Sequence, residues 1–201
     1  MRRIHFILAA LSVVAAVPAA AQTPTAAAAT PAAVPAPLAV GSVAPDFELP
    51  GATRYGVLQK PIHLSDFKGK TVVLAFFPRA RTQGCTIQMH AYRDQYNELL
   101  NGGRDVVLIA MSADPAETLA SWAHDDEFPF LFASDTGLKV ASMYGAIGRA
   151  GATNTNRNLF VVGPDGRIVY RATPFREIDP TAYTELGAAL KKFIPTETAA
   201  M

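Results

Sequence analysis

The sequence predicts an α/β sandwich, a mixed central sheet flanked by helices, and three observations carry that prediction. Two long apolar runs, residues 71–77 and 105–112, are continuous rather than alternating, as in strands buried on both faces. A segment of helical periodicity separates them, so strand, helix and strand follow in the order of a parallel crossover unit. Further on, Pro164-Asp165-Gly166 stands between two apolar runs, 159–162 and 168–171, and marks an antiparallel hairpin, which makes the sheet mixed.

Taken in order, the chain opens outside that fold. Arg2, Arg3 and His5 form a basic start, residues 6–17 are apolar, and Pro18-Ala19-Ala20-Ala21-Gln22 offers a small-residue cleavage site. This pattern is read as a secretory signal peptide over residues 1–21; an uncleaved anchor is the alternative, although the run is short for a spanning helix. Residues 22–40 are almost wholly Ala, Pro and Thr and are expected to form a disordered linker, because they have little to bury. About 155 residues then remain, enough for one domain over 41–195, with 196–201 as a flexible tail.

Within the domain, the helix after the first core strand shows an inward face of Cys85, Met89, Tyr92, Tyr96 and Leu99, at spacings of four, three, four and three, with Asn101-Gly102-Gly103 as its stop. The second core strand ends at Asp114-Pro115-Ala116-Glu117, which reads as an N-cap, a first-turn proline and a capping-box glutamate for a helix burying Leu119, Trp122 and Ala123. Residues 128–133 are expected as a short strand, followed by a helix bearing Leu138, Val140, Ala141 and Tyr144. Residues 146–156, rich in Gly, Ala and Asn, read as the most mobile loop. Asp179-Pro180 begins a last helix with Tyr183, Leu186, Leu190 and Phe193 inward and Pro195 as its stop.

Charge excludes more than it suggests. Without Arg2 and Arg3, sixteen basic residues face seventeen acidic ones, and no basic run points to nucleic acid or anionic lipid. His63 and His124 show no ligand spacing, so no metal site is indicated. Trp122 and the tyrosines of the first helix read as core, His90 as an exposed helix residue, and Asp125-Asp126-Glu127 as a solvated helix end.

Cys85 is the only cysteine. An exported chain with one thiol cannot form an internal disulfide, so the thiol calls for another role. It falls in the first turn of a helix, after a strand ending at Pro78 and a short polar turn, where unpaired backbone N–H groups and the positive dipole end favour an anion. Thiolate is the nucleophilic form. Thr82 stands where it can place a hydroxyl beside the sulfur or cap the helix, Gly84 permits close approach to the backbone, and Pro78 fixes the turn while removing a donor.

Pro78, Thr82 and Cys85 have the spacing of the peroxiredoxin signature, and the segment resembles that family of thiol peroxidases on a thioredoxin-like fold. The likeness runs from Gly41 to about Phe175, through Ala44-Pro45-Asp46-Phe47 as the family's opening strand, 64–70, Ser112-Ala113-Asp114-Pro115, Phe128-Pro129-Phe130, Ser134-Asp135, Tyr144-Gly145 and 157–166. It is nearest the subgroup named after bacterioferritin comigratory protein. The resemblance implies that Arg157 donates to the sulfur and to a peroxide, together with Thr82, Gly84 and the Cys85 backbone. It also implies that Cys85 becomes a sulfenic acid without a cofactor, and that the protein is a monomer or weak dimer. A guanidinium suits that role because it stays charged and its fork can bridge two acceptors.

The chain departs from the subgroup at His90, where many relatives carry a resolving cysteine, and at Gln83, Gln88 and Asn158, which replace a frequent proline, glutamate and Ser or Thr. A one-cysteine cycle follows, with an external thiol or thioredoxin-like reductant. A thioredoxin-like exchange protein and a non-catalytic peroxide sensor are the alternatives. Location in the bacterial periplasm, without stable membrane insertion, is the accompanying expectation.

Overall fold

The computed structural model describes residues 34–194. The readings of 1–21 as a signal peptide, of the first part of the linker and of the 196–201 tail lie outside those residues. Nine strands are described: β1 (Glu48–Leu49), β2 (Gly51–Thr53), β3 (Gly56–Val57), β4 (Ile62–His63), β5 (Thr71–Phe76), β6 (Val106–Ser112), β7 (Leu131–Ser134), β8 (Leu159–Val162) and β9 (Ile168–Ala172). The helices are α1 (Gln83–Asp94), α2 (Tyr96–Leu100), α3 (Ala116–Asp125), α4 (Lys139–Met143) and α5 (Pro180–Leu190). None among the described residues is long and apolar enough to cross a membrane.

The main sheet has the order β3-β2-β7-β6-β5-β8-β9. The β5–β6 and β6–β7 pairs are parallel, whereas β8 and β9 run antiparallel to their neighbours, so the sheet is mixed as expected. All six residues of β5 are buried, and they divide by parity. Val73 and Ala75, with Phe77 just beyond, face the layer of Cys85, Met89, Tyr92, Trp122 and Leu186, while Val72, Leu74 and Phe76 face Val140, Ala141 and Tyr144. A continuous apolar run is what a strand covered on both faces requires.

Several elements differ from the sequence reading. The predicted single helix breaks at Gln95, where ψ is 17°, and this swing buries Leu100 as well as Leu99. Asp114 does not cap α3: its carboxylate is taken by the Ala80 N–H at 2.8 Å and the Ser112 hydroxyl at 2.9 Å, and Pro115, with extended backbone, holds the N-cap position. Strand pairing of β7 begins only at Leu131 because Pro129 has no N–H to give. Ala44 to Phe47 is not the opening strand, which is β1, paired with β4. The β2–β3 hairpin at the sheet edge has no counterpart in the sequence reading.

The linker also ends earlier than expected. Leu38, near the end of the Ala/Pro run, packs on the core beside Tyr144. Its N–H meets the Tyr144 carbonyl at 3.3 Å, and Arg171 donates to the Pro37 and Leu38 carbonyls at 2.9 Å each. His90 is half-buried rather than exposed, bonded to Asp126 at 3.3 Å and tilted against Phe128. Asp126 also accepts the Trp122 indole N–H at 2.7 Å, so this acid ties helices together instead of marking a solvated end.

Candidate functional site

The turn before α1 is built by long-range bonds. Pro78 follows Phe77, the buried residue just beyond β5, and keeps the ladder from continuing, since it lacks a donor. Ala80 gives its N–H to Asp114. Arg81 has a φ of 62°, a left-handed conformation that costs a non-glycine residue on the order of 1 kcal/mol. Bonds from its guanidinium to Ser121, at 3.1 Å, and Asp125, at 2.5 Å, hold that turn against α3. The residues that aim Cys85 are thus anchored to a helix some forty positions away.

Thr82 occupies the N-cap position, but its side chain makes no cap bond. Its hydroxyl donates to the Arg79 carbonyl at 2.9 Å, so it does not cap the helix end. The hydroxyl keeps its two lone pairs for accepting.

Cys85 is fully buried in the first turn of α1. Arg157, seventy-two positions along the chain, directs Nη2 at Sγ across 3.4 Å. The two groups expected to cooperate therefore meet. Arg157 stands just before β8, and two further bonds fix its segment. The Phe175 N–H donates to the Arg157 carbonyl at 2.7 Å, and the Thr155 hydroxyl donates to the Phe77 carbonyl at 2.7 Å. This second bond pins the end of the 146–156 loop to the residue preceding Pro78.

The guanidinium is shared among three acceptors. Besides the sulfur, Nη1 donates to Gln88 Oε1 at 2.5 Å, and Nε lies 3.1 Å from Glu177 Oε2. Arginine only donates, so Gln88 must present its oxygen there and its amide nitrogen elsewhere, which is to the Tyr92 hydroxyl at 3.0 Å. Gln88 is fully buried, with both ends satisfied. Burial pushes the Tyr92 phenol far above its ordinary range, so it stays neutral. Gly84 lies directly under the pair: a Cβ there would stand 2.7 Å from Glu177 Oε1 and 3.1 Å from Arg157 Nη2, so a larger residue would displace these side-chain ends. The sequence reading reserved this space for substrate, and in the structure these two side chains occupy its edge.

Two clefts of about 590 Å³ each approach this cluster. One is lined by Arg157, Asn158 and Gly145, the other by Glu177, Ile87 and Tyr183. Of the predicted site residues, Cys85, Gly84 and Arg157 converge. Pro78 and Thr82 shape the turn. Gln88, Asp114 and Glu177 were missed as site residues. Gln88 lies three positions after Cys85 on the same helical face, and a polar residue on a buried stripe was a readable signal. Nothing local in the sequence marks Glu177.

Comparison with known proteins agrees with this geometry. Residues 40–171 match the model of the AhpC/TSA family. The chloroplastic peroxiredoxin Q of Sedum lineare is 34% identical over 145 residues, covering 70% of this chain and 74% of its own. Peroxiredoxin Bcp of Escherichia coli K12 is 32% identical over 141 residues, covering 68% and 86%. Among solved structures, peroxidoxin BcpB from Mycobacterium tuberculosis superposes with a TM-score of 0.66 at 27% identity, covering 78% of this chain and 98% of that one. A yeast mitochondrial 1-Cys peroxiredoxin, whose thiol resolving is described via glutathione/thioredoxin systems, shares the fold at a TM-score of 0.63 and 22% identity, covering 77% and 75%.

Proposed function

The chain belongs to the AhpC/TSA family and is a thiol-dependent peroxidase of the peroxiredoxin Q/Bcp kind; we propose that Cys85, Arg157, Thr82 and the Gly84–Cys85 backbone carry its reaction. The observation that carries this assignment is the 3.4 Å contact between Arg157 Nη2 and a fully buried Sγ at a helix N-terminus. The Cys85 thiolate attacks one oxygen of a hydroperoxide. An S–O bond forms, the O–O bond breaks, sulfur loses two electrons, and the departing oxygen leaves as water or alcohol after taking a proton. Arg157 offers donors where charge grows on the departing oxygen. Thr82, its own proton committed to Arg79, accepts from a peroxide O–H and orients it.

The product is Cys85 sulfenic acid. With Cys85 the only cysteine, regeneration runs through an external thiol, which displaces water to form a mixed disulfide that a second thiol opens. Small thiols of the glutathione kind and thioredoxin-like proteins both fit that chemistry. The proposal includes export to the bacterial periplasm, supported by the basic start and apolar run of the N-terminus, and action as a monomer or weak dimer.

The test is direct. One equivalent of hydrogen peroxide is expected to consume the Cys85 thiol far faster than free cysteine, with a mass gain of one oxygen that Cys85→Ser abolishes. Oxidation no faster than that of an unactivated thiol favours the non-catalytic reading instead.

A further inference from the structure

We propose that Glu177 is a positioning residue for Arg157, and that its charge makes this site select uncharged hydroperoxides over anionic ones. The inference rests on the peroxidase reading of Cys85 and deepens it. Glu177 stands between β9 and α5, and its place is set by three contacts. Its Oε2 meets Arg157 Nε at 3.1 Å, its Oε1 overlies Gly84, and its backbone carbonyl accepts the Tyr183 hydroxyl at 2.8 Å.

A guanidinium is a rigid planar fork. Gln88 alone, on Nη1, leaves its plane free to turn. A second acceptor on Nε removes that freedom and leaves Nη2 facing Sγ. The charge argument is separate. Gln88 is neutral and the Tyr92 phenol beyond it stays protonated, so Glu177 is the carboxylate paired with the cation. The two side chains are 14% and 22% exposed, so water screens the pair less than it would a surface pair. A peroxide arriving through the cleft lined by Glu177, Ile87 and Tyr183 meets this carboxylate. A neutral hydroperoxide pays nothing for the encounter, whereas one bearing an anion is repelled.

The experiment uses the full chain as the parent protein, Glu177→Gln, Glu177→Ala, and Glu177→Ala combined with Gln88→Glu. Rapid quenching measures Cys85 oxidation by hydrogen peroxide, by a short tertiary hydroperoxide carrying a carboxylate, and by the methyl ester of that hydroperoxide. Glu177→Ala, which removes the acceptor on Nε, is expected to slow hydrogen peroxide roughly 10- to 100-fold through misalignment, whereas Glu177→Gln, which keeps an accepting oxygen but not the charge, is expected to shrink the ester-over-acid preference several-fold. Adding Gln88→Glu returns a carboxylate to the other edge of the guanidinium and is expected to restore much of the hydrogen peroxide rate. A parent-like hydrogen peroxide rate in Glu177→Ala, or an unchanged ester-to-acid ratio in Glu177→Gln, overturns the proposal. So does an equal slowing of all three peroxides in Glu177→Ala that Gln88→Glu fails to relieve, which would make Glu177 a strut only. A parent protein no faster than free cysteine overturns the peroxidase reading itself, an outcome distinct from either.

Discussion

Replacing Arg157 by alanine removes three interactions at once, and the structure says what each loss does. The bond from Nη2 to Sγ is the one proposed to act in catalysis. Loss of a preorganised donor of this sort costs about 100- to 1,000-fold in rate, or roughly 3–4 kcal/mol of transition-state stabilisation. The bond to Gln88 is structural. Gln88 is fully buried, so its oxygen would be left without a donor, at about 1–3 kcal/mol. Glu177 is 22% exposed and can turn to water, so its loss adds little. In a domain of this size each kcal/mol moves the thermal midpoint by about 2–4 °C, giving a fall on the order of 2–12 °C. Arg157→Lys keeps the charge without the fork and is expected between parent and alanine in both properties. Rapid mixing with hydrogen peroxide, counting of residual thiol by alkylation and a thermal melt of each variant supply the two numbers. If Arg157→Ala loses thermal stability yet oxidises at the parent rate, the guanidinium is a structural strap and the catalytic assignment fails.

Three other expectations follow from the same geometry. Thr82→Ser keeps both the Arg79 bond and the accepting lone pairs and is expected to retain most of the peroxide rate, whereas Thr82→Val loses them and slows oxidation on the order of 10-fold or more; equal rates for the two variants contradict the role given to the hydroxyl. Asp114→Ala frees the Ala80 N–H and the Ser112 hydroxyl, with an expected loss of about 1–3 kcal/mol by urea unfolding and a slower Cys85 reaction, and an unchanged midpoint removes Asp114 from the support of the turn. Burial holds the phenols of Tyr92, Tyr144 and Tyr183 well above their ordinary range. Because folding raises these values, their stabilising share is complete below the unfolded phenol's value of about 10 and is lost as pH rises beyond it. Ultraviolet titration of phenolate should therefore show these three ionising only as the fold opens, and early ionisation with the fold intact contradicts their burial.

How much of this protein was legible in its residues depended on distance along the chain. The unbroken runs that became β5 and β6, the hairpin signal between β8 and β9, and Asp179-Pro180 at the start of α5 are local patterns, because burial on both faces, turn chemistry and capping act over a few residues. Cys85 at a helix start was readable for the same reason. Asp114 shows the limit. Its local context read as a cap, yet a donor thirty-four positions earlier claimed the carboxylate. Leu38 likewise joined the core although its neighbours read as linker, because the groove beside Tyr144 is made by residues a hundred positions later.

Sequence alone, then, determined the layer order and the reactive atom, both being matters of periodicity and of one thiol at one helix turn. Only the tertiary structure decided what surrounds that sulfur. Gln88 and Glu177 divide the Arg157 fork between them because β8, α1 and the segment after β9 converge there. Convergence of segments ninety residues apart is a property of chain packing, which leaves no periodic trace in any one of them.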